Sequence, residues 1–187
     1  MHDIIKSKIE ILRNIEKLRK VKELRKAQEN LVLLLDCSGS MSETVGEKRK
    51  IDHLREAILH FPTAKIYGFN SSFFPIETVP EPNGLTAMRG AFINLTPYLN
   101  SNTNLILISD GLPTDADEEE VIQTAKTLPC PVNILFIGAE NDGEGFMKRL
   151  AAETGGSEIT INPQQLEINL NLALTEGIKR LALPKRR

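Results

Sequence analysis

Apolar and polar positions alternate in blocks along this chain, and the period of each block names its element. Leu31 to Asp36 is a short, wholly apolar run ending on an acid, the pattern of a strand buried on both faces of a parallel sheet. Asn104 to Asp110 repeats it, and Ala64–Asn70, Val132–Gly138 and Glu158–Ile161 are further runs of strand length. Between them the period changes. Ile51, Leu54, Ile58 and Leu59 share one face of a helix predicted over 47–61 and stopped by Pro62. After the turn residues Pro82, Asn83 and Gly84, Thr86 opens a second helix towards Leu99. Others are predicted over 118–128, 145–154 and 163–183. Phe73 to Val79 reads as a strand that Pro75 confines to an edge. Strands alternating with helices of about ten residues predict an α/β fold with a mostly parallel sheet.

Ahead of the first strand, residues 3–27 contain no Pro or Gly, and Ile4, Ile11, Ile15 and Leu18, with Ile5 and Leu12 beside them, make a broad apolar stripe. Beyond Leu18 the step settles to three, through Val21 and Leu24, so the stripe drifts and no heptad is sustained. The expected organisation is therefore a basic amphipathic N-terminal helix at 1–29, an α/β body at 30–183 and a basic tail at 184–187. The helix reads as packed on its own domain, with self-association or docking as the alternative.

With 187 residues, 41% hydrophobic and 26% charged, the composition is that of a folded domain and excludes disordered or disulfide-scaffold classes. The apolar run Leu31–Leu35 is far short of the ~20 residues of a membrane span, and Lys6 and Lys8 interrupt any early hydrophobic stretch. A cytoplasmic location without membrane contact is expected. Two cysteines, Cys37 and Cys130, are predicted at opposite ends of the sheet, about 20 Å apart, and so are free thiols. The net charge of −2 hides a separation: residues 1–29 and 179–187 together carry +9, leaving −11 on residues 30–178. An acidic body suits a cation and not a nucleic acid.

Two buried strands end in aspartate, Asp36 and Asp110, and in a doubly wound sheet the crevice at the carboxyl ends of such strands is where ligands bind. Neighbouring strands are about 4.8 Å apart, so the two carboxylates repel unless a cation lies between them or one is protonated. The loop Asp36-Cys37-Ser38-Gly39-Ser40 adds hydroxyls at alternate positions. All donors are hard oxygens, which favours Mg²⁺, with Mn²⁺ or Ca²⁺ as substitutes, over zinc.

The Asp36-Cys37-Ser38-Gly39-Ser40-Met41 segment resembles the D-x-S-G-S-M form of the metal-ion-dependent adhesion site of von Willebrand factor type A (vWA) domains, as found in bacterial intracellular members. Thr86, in Gly84-Leu85-Thr86, is similar to that family's loop threonine, and Asp110, in Ile108-Ser109-Asp110-Gly111, to its distal aspartate. A single glycine precedes the threonine where many relatives carry Gly-Gly. The resemblance spans about residues 30–178. It implies a Rossmann-like doubly wound sheet in the order 3-2-1-4-5-6 with one antiparallel edge strand. It further implies a metal held directly by Ser38, Ser40 and Thr86, with Asp36 and Asp110 through water or directly, and a last position filled by a partner's Asp or Glu. Relatives of this type often act beside AAA+ ATPases.

The function expected is thus a metal-dependent protein-interaction module, adaptor or assembly subunit, without catalysis of its own. A Mg²⁺-dependent hydrolase or phosphatase is the alternative, since two strand-end aspartates and a metal can position a phosphate and a water. A structural subunit of a larger assembly, such as a phage particle, is a third. G-x-x-x-x-G-K and G-x-G-x-x-G are absent, and Cys37 has no histidine partner in the pattern. Asp115, Asp117 and Glu118–Glu120 read as a helix cap and solvated face rather than an extension of the cation site. His53 and His60 read as surface or packing residues, and Tyr67, Phe69, Phe73 and Phe74 as core.

Overall fold

Six strands line up in a single sheet whose three central members, Leu31–Asp36, Asn104–Ser109 and Val132–Ile137, are too apolar to face water on either side. The computed structural model describes residues 29–138, 143–164 and 169–183; the helix predicted over 3–27 and the tail 184–187 lie outside the described residues. In chain order the elements are β1 (Leu31–Asp36), β2 (Thr44–Val45), β3 (Lys48–Arg49), α1 (Lys50–Ile58), β4 (Lys65–Phe69), β5 (Phe73–Pro75), α2 (Met88–Leu95), β6 (Asn104–Ser109), α3 (Glu118–Ala125), β7 (Val132–Ile137), α4 (Gly145–Glu153), β8 (Glu158–Ile161) and α5 (Leu170–Ala182). The sheet order is β5-β4-β1-β6-β7-β8, parallel throughout except for β5, which runs antiparallel to β4. This is the expected 3-2-1-4-5-6 arrangement with one antiparallel edge.

The period-two alternation of β1 sorts its side chains onto two cores. Val32 and Leu34 face Met88, Phe92, Val121, Phe136 and Leu150, under α2, α3 and α4. Leu31, Leu33 and Leu35 face Ile51, Leu54, Leu174 and Ile178, under α1 and α5. Parallel pairing sets Leu33 between Ile66 and Ile106, so β1 is central and both of its edges are hydrogen-bonded. That register brings the ends of β1 and β6 to one edge of the sheet.

Several boundaries differ from the sequence expectation: the edge strand predicted over Phe73–Val79 closes at Pro75, and the helices predicted to 61 and 128 close at Ile58 and Ala125. The helix predicted from Glu47 begins at Lys50, because Gly46, at φ 64°, turns a two-residue hairpin that pairs Thr44 with Arg49 and Val45 with Lys48. The helix predicted from Thr86 begins at Met88 and closes at Leu95, followed by one 3₁₀ turn, Thr96–Tyr98, with Pro97 inside it. The last helix starts at Leu170 instead of Pro163, with the Asn169 side chain accepting the Asn171 N–H as its cap. Cys37 and Cys130 are both buried free thiols, and burial pushes them up to about 12 and about 11. No described helix is long and apolar enough to cross a membrane.

Candidate metal centre

Once β1 ends, its polar residues have nowhere to go but the sheet edge, and the loop there folds on its own side chains. Asp36 is fully buried. Its Oδ1 accepts the Ser38 N–H at 2.8 Å and its Oδ2 accepts the Ser109 hydroxyl at 2.6 Å. The first bond is an Asx turn that starts the 3₁₀ turn Gly39–Ser42. It sets the Ser38 and Ser40 hydroxyls 3.1 Å apart, and Ser40 donates to Asp110 Oδ1 at 2.7 Å. Asp36, Ser38, Ser40 and Asp110 are therefore brought together by short bonds. Cys37, between them in sequence, turns the other way, with its thiol 3.7 Å from the Leu35 carbonyl and packed in the core under α1.

Thr86 arrives on a separate loop that is fastened from both sides. Gly39 N–H donates to the Gly84 carbonyl at 3.1 Å, and Asn83 N–H to the Cys37 carbonyl at 3.0 Å, joining this loop to the serine loop. On its far side, Thr86 N–H donates to Thr114 Oγ1 and Thr114 N–H to the Thr86 carbonyl, both at 3.0 Å, joining it to the loop after Asp110. The turn depends on Gly84, at φ 73°, where a Cβ would stand 2.6 Å from Ser71 Oγ. One glycine suffices for the path. Arg55 braces the approach by donating to the carbonyls of Val79 and Pro80.

The electrostatics of the two aspartates diverge. Burial raises Asp36 from the ordinary 3.8 to about 6, against the lowering bonds from Ser109 and Ser38 and with a smaller upward push from the Asp110 charge. Asp110 has a partner that the sequence did not announce. Lys50 Nζ lies 2.8 Å from Asp110 Oδ2 and 2.6 Å from Glu43 Oε2, on a side chain only 10% exposed. Burial opposes the Lys50 charge, and the bonds to Asp110 and Glu43 outweigh it, so its pKa stands raised. Of the two remedies for facing carboxylates, a cation and a proton, the fold uses an ammonium at Asp110 and leaves Asp36 easy to protonate.

The donor chemistry fits a hard divalent ion. Oxygens adjacent on an octahedron at about 2.1 Å from Mg²⁺ are about 3.0 Å apart, close to the 3.1 Å at which the Ser38 and Ser40 hydroxyls are hydrogen-bonded to each other. Among the described residues no three His, Cys, Asp or Glu side chains gather at one point; the contacts join Ser38 and Ser40 to the two carboxylates, and Thr86 is held alongside through its backbone bonds. Asp115 and Asp117 do not extend this set. Asp117 caps its own helix by accepting the Glu120 N–H, while Asp115 caps α2 across the loop by accepting the Arg89 and Gly90 N–H groups. His53 is a packing residue, with Nε2 3.0 Å from the Val45 carbonyl, and His60 is exposed. Tyr67 and Phe69 are core; Phe73 and Phe74 are half-buried at the β5 edge, where Tyr67 stacks on Phe73 and meets Tyr98 at a tilt. Ser109 and Lys50 are the site residues that sequence reasoning missed. A hydroxyl closing the apolar run Leu105–Ile108 was a signal for the first; a lysine opening a helix gave none for the second.

Solved structures with the same architecture include a von Willebrand factor type A protein from Catenulispora acidiphila, at 16% identity over 82% of this chain and 42% of that one, with a TM-score of 0.58. BatB from Bacteroides thetaiotaomicron matches at 15% identity over 81% of this chain and 98% of its own, TM-score 0.55. The VWA domain of SpRpn10 matches at 13% identity over 79% and 92%, TM-score 0.52. The fold is that of a von Willebrand factor type A domain. At these identities the likeness is one of fold, and this chain spans less than half of the Catenulispora protein. No family model matches the sequence, and no match was found among curated proteins.

Proposed function

We propose that this vWA body is a non-catalytic protein-interaction module that holds Mg²⁺, or Mn²⁺ or Ca²⁺ in its place, at Asp36, Ser38, Ser40, Thr86 and Asp110. The observation that supports it is the continuous chain of bonds from Ser38 through Ser40 to Asp110 at the edge where β1 and β6 end, with the Thr86 loop fastened to both neighbours. The ion would supply an electrophilic point for a carboxylate of the partner. Leu85, 60% exposed beside Thr86, and Leu112, 43% exposed beyond Asp110, offer apolar contact on either side of that point. An Asp or Glu next to an apolar residue is the partner chemistry that suits such a rim, whether on an AAA+ ATPase or on an assembly subunit.

The test is ion uptake. Mg²⁺ or Mn²⁺ at millimolar concentration should raise the thermal midpoint by mass action, Asp110→Ala should abolish the rise, and Thr86→Ala or Ser38→Ala should reduce it. Partners captured from native lysate should be released by chelator and lost with Thr86→Ala. Calorimetry that detects neither ion, together with capture that ignores chelator, would remove the proposal.

A further inference from the structure

Lys50 has no role in the function proposed above, yet it occupies the most consequential position in the site. It is the first residue of α1, where the helix dipole disfavours a cation and where lysines ordinarily reach into water. Here the side chain is nearly buried, and its ammonium bridges Asp110 Oδ2 and Glu43 Oε2. With Ser40 on the other oxygen, both oxygens of Asp110 are engaged. A divalent ion that draws on Asp110 therefore meets a positive charge already bonded to the same carboxylate. Glu43, by contrast, is 67% exposed and free to follow Lys50 outward. The Lys50 N–H also donates to the Glu43 carbonyl at 2.9 Å, so the two residues stay together whichever carboxylate the ammonium prefers.

We propose that Lys50 is a built-in competitor of the divalent ion: it neutralises Asp110 when no ion is bound and withdraws to Glu43 when one enters. The inference rests on the metal reading of the site and adds its regulation. The chain would then hold its ion weakly by itself, and a partner carboxylate that strengthens the ion's position would also favour release of Lys50.

The experiment is a calorimetric titration of Mn²⁺ into the full chain and its variants at neutral pH. Lys50→Met should tighten Mn²⁺ binding about tenfold and enlarge the Mn²⁺-induced rise in thermal midpoint. Lys50→Gln, which keeps a hydrogen-bond donor but not the charge, should act in the same direction and serves if the methionine variant does not fold. Glu43→Gln should weaken Mn²⁺ binding several-fold in the wild type and much less in the Lys50→Met background, because its effect works through the ammonium. Unchanged or weaker binding in both Lys50 variants overturns the proposal, as does an equal effect of Glu43→Gln in both backgrounds. Equal Mn²⁺ affinity in every protein leaves the metal site standing and removes Lys50 from its control, whereas no Mn²⁺ binding by any of them removes both.

Discussion

Asp36 and Asp110 end neighbouring strands with the same signature in sequence, and the fold treats them in opposite ways. Asp36 is sealed beneath its own loop and receives only neutral donors, a backbone N–H and a hydroxyl. Asp110 receives a hydroxyl and an ammonium. Neutral bonds soften the cost of burying a carboxylate without cancelling it, while a counter-charge balances it directly. The difference places a readily protonated acid and a charge-paired acid a strand apart, so one site holds a place for a proton and a place for a cation.

The comparison can be broken at its strongest point first. Asp36→Ala leaves the Ser38 N–H and the Ser109 hydroxyl unpaired in a buried place, and should cost about 2–4 kcal/mol in urea unfolding with chelator present. Asp36→Asn keeps an acceptor and removes the buried charge, so it should cost under about 1 kcal/mol. A similar loss for both would mean that the charge on Asp36 is not a burden.

The pH response follows from the same contrast. Asp36 titrates at about 6 in the folded protein against 3.8 when unperturbed, so the folded state binds its proton more tightly. Its stabilising contribution is complete below about pH 4 and is lost as pH rises through 6, on the order of 2–3 kcal/mol in all. Unfolding midpoints measured across that window without divalent ions should fall relative to those of Asp36→Asn as pH rises, the gap between the two proteins reporting Asp36 alone.

At the other acid the amide should be the harmful change. Asp110→Asn strands the Lys50 charge on its helix, at a cost of about 1–3 kcal/mol, less than the usual penalty for a broken buried pair because Glu43 remains. Equal tolerance of the amide at 36 and at 110 would erase the distinction. Cys37→Ala should cost about 1 kcal/mol from a core cavity, and the smallest effect of all is expected on its Mn²⁺ affinity, which should stay unchanged because the thiol faces away from the hydroxyls.

The central strands were legible because burial on both faces leaves a continuous apolar run, and the placement of Asp36 and Asp110 at their ends came with them. What escaped was set by contacts distant in sequence. Glu47 looked like the start of a helix because its neighbours favour one, and the hairpin turned by Gly46 took those residues first. Asp115 read as the cap of the helix that follows it, whereas it caps α2, a partner that sequence spacing alone does not disclose. Lys50 is sixty residues from Asp110, and a lysine at the head of an amphipathic helix looks the same whether it faces solvent or a buried carboxylate.

Asn104 gives the molecule a property unrelated to ions. At the edge of the sheet opposite the site, its N–H donates to the Asn30 carbonyl, and its side-chain amide donates to the carbonyls of Leu181 and Ala182. One asparagine thus clasps the residue before β1 and the last turn of α5. The two ends are neighbours, and they lie a full strand, about 17 Å, from the loops that carry Asp36 and Asp110. Both ends of the described body are thus held at one edge of the sheet, away from the loops of Asp36 and Asp110.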